Sequence, residues 1–345
     1  VLQKEFNSGP EVTKACLSCH ELAAGQFHKT IHWTWLDPNV PPGERIGKAG
    51  HSINNFCINL NSNEPRCTSC HAGYGWRDDS FNFNDEAAVD CLVCHEQTGT
   101  YKKFPTGAGH PVKEPTVFKA NNKTYNPPDW NKVAQSVGRP TRNNCGTCHF
   151  YGGGGDGVKH GDLDSSLTKP NQALDVHMGV DGQDFDCVRC HTTTLHQIAG
   201  RTYATPAATH RKSLIEDDLA AKIMCESCHS STPHKPGIKA NDHTDKVACQ
   251  SCHIPEFARV NPTKMSWDWS TAGKKKGGKP FAEKGPHGKA VYDTKKGDFR
   301  WDKDVQPAYF WFNGSINAIT ARDTIDPSQA VSYTHLTLPT TCTPC

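Results

Sequence analysis

The chain has 345 residues, a formal net charge of +2 and a pI near 7.9, which leaves room for one large domain or two ordinary ones. Its 38 Lys and Arg residues are spread along the sequence, excluding the basic face of a nucleic-acid binder and any membrane-surface footprint. Hydrophobic residues make up 35%, mean hydropathy is −0.67, and no apolar run could span a bilayer, so something besides protein must fill the interior.

In chain order, ACLSCHELAAGQFHKTIHW from Ala15 has helical composition and periodicity. No leader precedes Val1, which reads as a mature form or a chain whose beginning is missing. PNVPPGERIGKAG and TYNPPDW read as loops. The four glycines Gly152–Gly155 lack the β-carbons that keep backbone away from a bulky planar group, and they lead to Asp156, Lys159 and His160. HRKSLIEDDLAAKIMCESCH from His210 is again helical in pattern. The fold class expected is mainly helical with extensive irregular loops, its core largely made by prosthetic groups.

Fourteen of the 17 cysteines fall into seven units of one form. They are Cys16-Cys19-His20, Cys67-Cys70-His71, Cys91-Cys94-His95, Cys145-Cys148-His149, Cys187-Cys190-His191, Cys225-Cys228-His229 and Cys249-Cys252-His253, numbered here motifs 1 to 7. Cysteines three apart share one side of a helical turn and reach the two vinyl groups of a haem, while the adjacent histidine swings under the iron. A disulfide framework or a set of zinc sites needs no histidine directly after the second cysteine, yet all seven units have one. Seven covalent haems c are therefore expected. First cysteines are spaced by 51, 24, 54, 42, 38 and 24 residues, which is no solenoid period. The two intervals of 24 suggest close haem pairs at Cys67/Cys91 and Cys225/Cys249.

From Ile254 the motifs stop. Residues 1–255 are expected to form the haem domain, and 256–330 an aromatic, haem-free segment packing on it. Lys274–Lys276 reads as a solvated loop, and Trp267, Trp269, Trp301 and Trp311 as packing on haem edges or on each other. VSYTHLTLPT, at 331–340, is what results from translating sequencing-adapter DNA, so 331–345 is expected to be an artefact and His335, Cys342 and Cys345 without meaning. The competing reading makes Cys342 and Cys345 the start of an eighth haem site.

A low-spin electron-transfer haem needs two strong axial ligands. Besides the motif histidines and His335, eleven histidines remain, and His32, His110, His160, His177, His196, His234 and His243 are favoured as distal ligands. A catalytic haem needs a weaker or unusual second ligand. Lys159 is the best-placed lysine, with Lys102 and Lys103 as alternatives, and any of them must bind as a neutral amine. Cys57 is the unpaired cysteine outside the tail, either a small buried residue or a thiol in a substrate pocket.

With these residues in view, the chain resembles the octahaem tetrathionate reductase family of periplasmic multihaem cytochromes, from EVTKACLSCH to the aromatic stretch near Phe312. The resemblance is carried by NNFCINLNSNEPRCTSCHAGYGW, VDCLVCHEQTGTYKK, NCGTCHFYGGGGDGVKHGDLDSSL and DHTDKVACQSCHIPEFAR. It implies that the active-site haem is the second, with His71 below the iron, Lys159 as the other ligand, and Asp156 and Cys57 lining the pocket. The remaining haems would be bis-histidine. It also implies reduction of tetrathionate, nitrite or hydroxylamine, and an eighth motif near the C-terminus, where the adapter-like tail stands. Expected partners are redox proteins, either other cytochromes or quinol-linked donors, and a small inorganic anion as substrate, in the periplasm or outside the cell. A homo-oligomer or filament acting as a non-catalytic conduit is the alternative.

Overall fold

The computed structural model describes residues 1–36, 43–45, 47, 49–50, 64–152, 154–158, 163–200, 225–309, 311 and 324. Its helices are short. Gly9–Leu17 (α1) begins with Pro10 in the first turn, where a missing N–H has no partner to lose. Ala23–Phe27 (α2) and Ile31–Thr34 (α3) follow, so the long helical stretch from Ala15 is broken into three pieces. Trp35, at φ 49°, ends the last of them.

Glu64–Cys67 (α4), Cys91–His95 (α5), Trp130–Gln135 (α6) and Arg142–His149 (α7) come next. The Asp90 carboxylate accepts from Val93 N at 3.0 Å and that of Asp129 from Lys132 N at 3.0 Å, capping α5 and α6. TYNPPDW is thus only partly a loop. Its Thr124 and Tyr125 lie in Lys123–Tyr125 (β2), paired with Thr116–Phe118 (β1), and Trp130 opens α6. A two-residue hairpin, Thr193–Thr194 (β3) with Gln197–Ile198 (β4), precedes Glu226–His229 (α8) and Gln250–His253 (α9).

Phe6, Val12, Phe27, Trp33, Val89, Leu92 and Val133 belong to one apolar cluster where α1 meets the turn at 86–88, α5 and α6. Further on, the protein loses its own core. The helical turns Cys187–Arg189, Glu226–His229, Lys239–His243 and Gln250–His253 contain no buried residue. A single turn gains little from propensity and is held by what it packs on, so these turns require a non-protein surface.

A four-stranded antiparallel sheet in the C-terminal segment is the element that the mainly helical expectation did not include. Thr263–Asp268 (β5), Ala282–Lys284 (β6), Ala290–Asp293 (β7) and Gly297–Asp302 (β8) are ordered β5-β8-β7-β6. Asp293-Thr-Lys-Lys-Gly297 closes β7 onto β8, with Lys296 N donating to Asp293 O at 2.9 Å and Gly297 at φ 88°. Trp267 stacks on Trp269 at 4.1 Å and leans on its cross-strand partner Phe299 at 5.2 Å, so these tryptophans pack on each other.

The sheet is fastened to the loop after α7. Lys264 N and Thr263 Oγ1 donate to Gly157 O at 2.8 and 3.0 Å, and Lys289 Nζ donates to Asp156 O at 3.0 Å. Gly157 has φ 67°, and a β-carbon there would lie 2.1 Å from Pro262 O. Gly157→Ala is therefore expected to cost at least ~1–3 kcal/mol from the left-handed backbone alone. Thermal unfolding should show it, accompanied by faster proteolysis within 261–302; a melting temperature equal to wild type would refute the docking.

Candidate haem and active site

In motifs 1, 5, 6 and 7 one backbone turn recurs. The first cysteine's carbonyl accepts from the second cysteine's N–H and from the histidine's: Cys16 O at 3.1 and 2.9 Å, and Cys187, Cys225 and Cys249 O each at 3.2 and 2.9 Å. Two thiols are thereby set on one side and the imidazole is swung outward. His95 Nδ1–H donates to Gly138 O at 2.9 Å and His191 Nδ1–H to Ala199 O at 2.8 Å, which leaves Nε2 of each ring with its lone pair free for a metal.

Three imidazole pairs test whether a haem fits. The ring centres of His32 and His149 are 6.1 Å apart, those of His177 and His229 6.0 Å, and those of His234 and His253 5.9 Å. With metal–nitrogen bonds of about 2.0 Å and a ring nitrogen about 1.1 Å from its centre, two rings on one metal ion stand roughly 6.2 Å apart. These pairs are too far apart for a direct hydrogen bond and match a shared metal. His234 Nδ1 is also buried with no hydrogen-bond partner, an orphan in an otherwise protein-poor region. The residues fit haem c, with the rings of His32, His177 and His234 facing the histidines of motifs 4, 6 and 7 at the separation of two rings on one metal.

Burial pushes Cys91 up to about 12 and Cys94 up to about 11, so both stand as neutral thiols. Among the described residues no three His, Cys, Asp or Glu side chains converge as a metal site would need. The motifs instead approach one another in a file. Cys91 lies close enough to feel Cys16, Cys145 to feel Cys94 and Cys187, Cys190 to feel Cys228, and Cys225 to feel Cys249. This orders motifs 1, 3, 4, 5, 6 and 7, while motif 2 joins at motif 4 through Cys70 and Cys148. The 24-residue spacing does mark a close pair at Cys225/Cys249; Cys91 faces Cys16, and the Cys67 side chain is outside the described residues.

Motif 2 differs from the rest. His71 is fully buried among Trp33, Trp35, Trp76, Phe81 and Phe83, and its Nε2–H donates to Trp33 O at 2.7 Å. Burial pushes its pKa down to about 3, so the ring is neutral, and with Nε2–H given to Trp33 O its lone pair is on Nδ1, which is buried without a hydrogen-bond partner. Lys159, His160 and Cys57 lie outside the described residues. Asp156 is placed: Ser165 N and Oγ donate to its two carboxylate oxygens, each at 2.8 Å. It therefore clasps the ends of the segment that contains Lys159 and His160.

The other favoured histidines divide. His196 donates from Nδ1 to Gln26 Oε1 at 3.0 Å and lies close enough to His20 and His95 to lower its own pKa, behind the larger effect of burial. His110 stacks on Tyr74 at 5.2 Å, and His243 is exposed at the end of a short helical turn. Lys102 is exposed; Lys103 is buried, its amine occupied by Asp90 at 2.9 Å. Sequence reasoning gave Lys103 no such role, and the signal available was an acid directly preceding motif 3.

Residues 15–96 match the family model for cytochrome c554 and c-prime, and residues 264–340 match that for bacterial cytochrome c. An uncharacterised protein of Archaeoglobus fulgidus is 22% identical over 233 residues, covering 56% of this chain and 77% of that one. The crystal structure of octahaem cytochrome c from Shewanella oneidensis is similar with a TM-score of 0.76 and 48% identity, over 94% of this chain and 67% of that one. The chain belongs to the octahaem cytochrome c family. It is a multihaem electron-transfer protein that binds haem c covalently, and no helix among the described residues is long and apolar enough to cross a membrane.

Removing one ring of a facing pair tests the ligand assignment. His234→Ala is expected to convert one low-spin ferric haem to high spin in the electron paramagnetic resonance spectrum, with haem content unchanged. A spectrum identical to wild type would show that His234 does not face the iron of motif 7.

Proposed function

We propose that this cytochrome is a reductase, working in the periplasm or outside the cell, in which electrons run along the file of motifs to the haem of motif 2. Tetrathionate, nitrite or hydroxylamine is the substrate class, and other cytochromes or quinol-linked donors are the source of electrons. The observation that carries this reading is the divergence of motif 2. Motifs 4, 6 and 7 each set a second imidazole opposite their own, whereas His71 stands to one side of the file, ringed by five aromatic side chains.

Bound haem supplies electrons and a coordination position for the oxidised substrate. The chain's own residues do the rest. Lys159 is the second ligand in this reading, and an amine with a free pKa of about 10.4 must lose its proton to serve, which a dry site favours. The Asp156–Ser165 clasp helps by fixing both ends of its segment. With both carboxylate oxygens held, Asp156 acts as a positioning residue, so protons for the product come from another group, such as a histidine or Cys57 of the pocket. The aromatic wall of Trp33, Trp76, Phe81 and Phe83 excludes water beneath the ligand His71, which strengthens electrostatic interactions at the site.

The test is consumption of each substrate by protein reduced with a viologen dye. Turnover of at least one is expected, and Lys159→Ala should change both the spectrum of one haem and the rate by tenfold or more. A reduced protein that neither binds nor consumes any of the three, with every iron low-spin bis-histidine, would instead be a conduit. An active Lys159→Ala variant with an unaltered spectrum would mean that another group ligates motif 2.

A further inference from the structure

Between motifs 2 and 3 lies a buried charge pair that electron transfer alone does not require. Lys103 Nζ is 2.9 Å from Asp90 Oδ2, with side-chain exposures of 3% and 0%. The ammonium also donates to the carbonyl of His71 and, at 3.4 Å, to that of Gly73, both in or beside motif 2. The carboxylate belongs to the other side. Asp90 directly precedes Cys91, and its Oδ1 caps the helix of motif 3 at Val93 N, 3.0 Å away. Tyr74 OH donates to Oδ1 at 2.7 Å and Tyr101 OH to Oδ2 at 2.9 Å, so each oxygen has two donors and the carboxylate is fixed in place.

The pair is thus an oriented dipole, its positive end on motif 2 and its negative end on motif 3.

We infer that the Lys103–Asp90 pair sets the order of reduction of two neighbouring haems, making the haem of motif 2 easier to reduce and that of motif 3 harder. Reduction adds one negative charge to an iron. A fixed cation beside the proximal ligand therefore stabilises the reduced state at motif 2, and a fixed anion destabilises it at motif 3. Because both charges sit in a water-poor interior, screening by salt does little to cancel them. The inference needs a haem on each motif and is independent of the substrate; joined to the proposed function, it gives electrons a downhill step into the site of motif 2.

Redox titration of the haem-loaded protein, followed by absorbance and electron paramagnetic resonance, tests it with Lys103→Gln, Asp90→Asn and the double variant D90N/K103Q. Lys103→Gln should move one haem to lower potential, and Asp90→Asn should move a different haem to higher potential. The double variant keeps the side-chain shapes without the charges. In it the equilibrium between the two haems should change about tenfold, which for one electron is about 59 mV. A double-variant titration that superimposes on wild type, or single variants that shift the same haem, would overturn the inference. Where a single variant fails to fold, Tyr101→Phe serves: it keeps both charges, strips one donor from Asp90 and should move only the motif 3 haem, further down. No shift there also counts against the dipole. Substrate turnover is a separate readout, so a shift without turnover refutes the reductase and turnover without a shift refutes the dipole.

Discussion

The fold depends on charge pairs that fasten one haem motif to the next. Protein-only packing is confined mainly to the first half of the chain, and the turns carrying motifs 5, 6 and 7 bury nothing of their own. Two aspartates stand directly before a first cysteine, and each holds a cation that reaches or belongs to another motif. Asp90, before Cys91, holds Lys103 against the backbone of motif 2. Asp186, before Cys187, accepts from Arg142 N at 2.8 Å and its Nε at 3.4 Å, while Arg142 Nη2 reaches Asp184 at 2.7 Å. Arg142 opens the helix of motif 4, so this second clamp joins motifs 4 and 5.

Such pairs are poor sources of net stability, because desolvation offsets most of their attraction. Their effect is positional. Removing one partner of the buried Lys103–Asp90 pair leaves the other uncompensated at a cost of about 3–5 kcal/mol, and sliding one motif past the next would break it in the same way; Asp184 and Asp186 are partly solvated, so the second clamp costs less to break. Electron transfer between haems needs a fixed separation. A chain with too little apolar core to enforce it uses directional charges at the points where motifs meet. Arg142 adds planar geometry, reaching Met178 O and Phe185 O as well as both carboxylates.

What could be read beforehand follows from how local each signal is. Cys-x-x-Cys-His is a five-residue statement whose chemistry is complete within one turn, so covalent haem c was legible in sequence from the seven motifs. Opposing ligands are long-range. His32 meets His149 across 117 residues, a separation that no periodicity encodes, and it was one of seven favoured among eleven remaining histidines, with no partner assigned. The C-terminal sheet was missed although its hairpin signal, Asp-Thr-Lys-Lys-Gly before alternating Phe299 and Trp301, is local; the weight of haem motifs drew the fold class toward helix. Asp156 stands out in the sequence only as an acid beside a candidate ligand, and its contact with Ser165, nine residues on in a loop, has no pattern that announces it.

The sheet also gives the C-terminal segment a reason to exist beside a file of haems. Gly157 carries the contact, since its left-handed backbone lets Pro262 approach where any side chain would collide. On one side of it Asp156 is closed onto Ser165, and on the other β5 pairs with its carbonyl. Asn261 Nδ2 reaches Asp164 Oδ1 at 2.9 Å, so the far end of the same segment is held from the sheet as well. A stretch beginning just after motif 4 is therefore fixed at both ends by residues about 100 positions later in the chain. The charges at Asp90 and Asp186 space the motifs, and the sheet constrains the segment from which the proposed ligand Lys159 would reach motif 2. The two devices act on different parts of the same problem, since electrons must arrive by a fixed route and the group that meets them must come from a defined place.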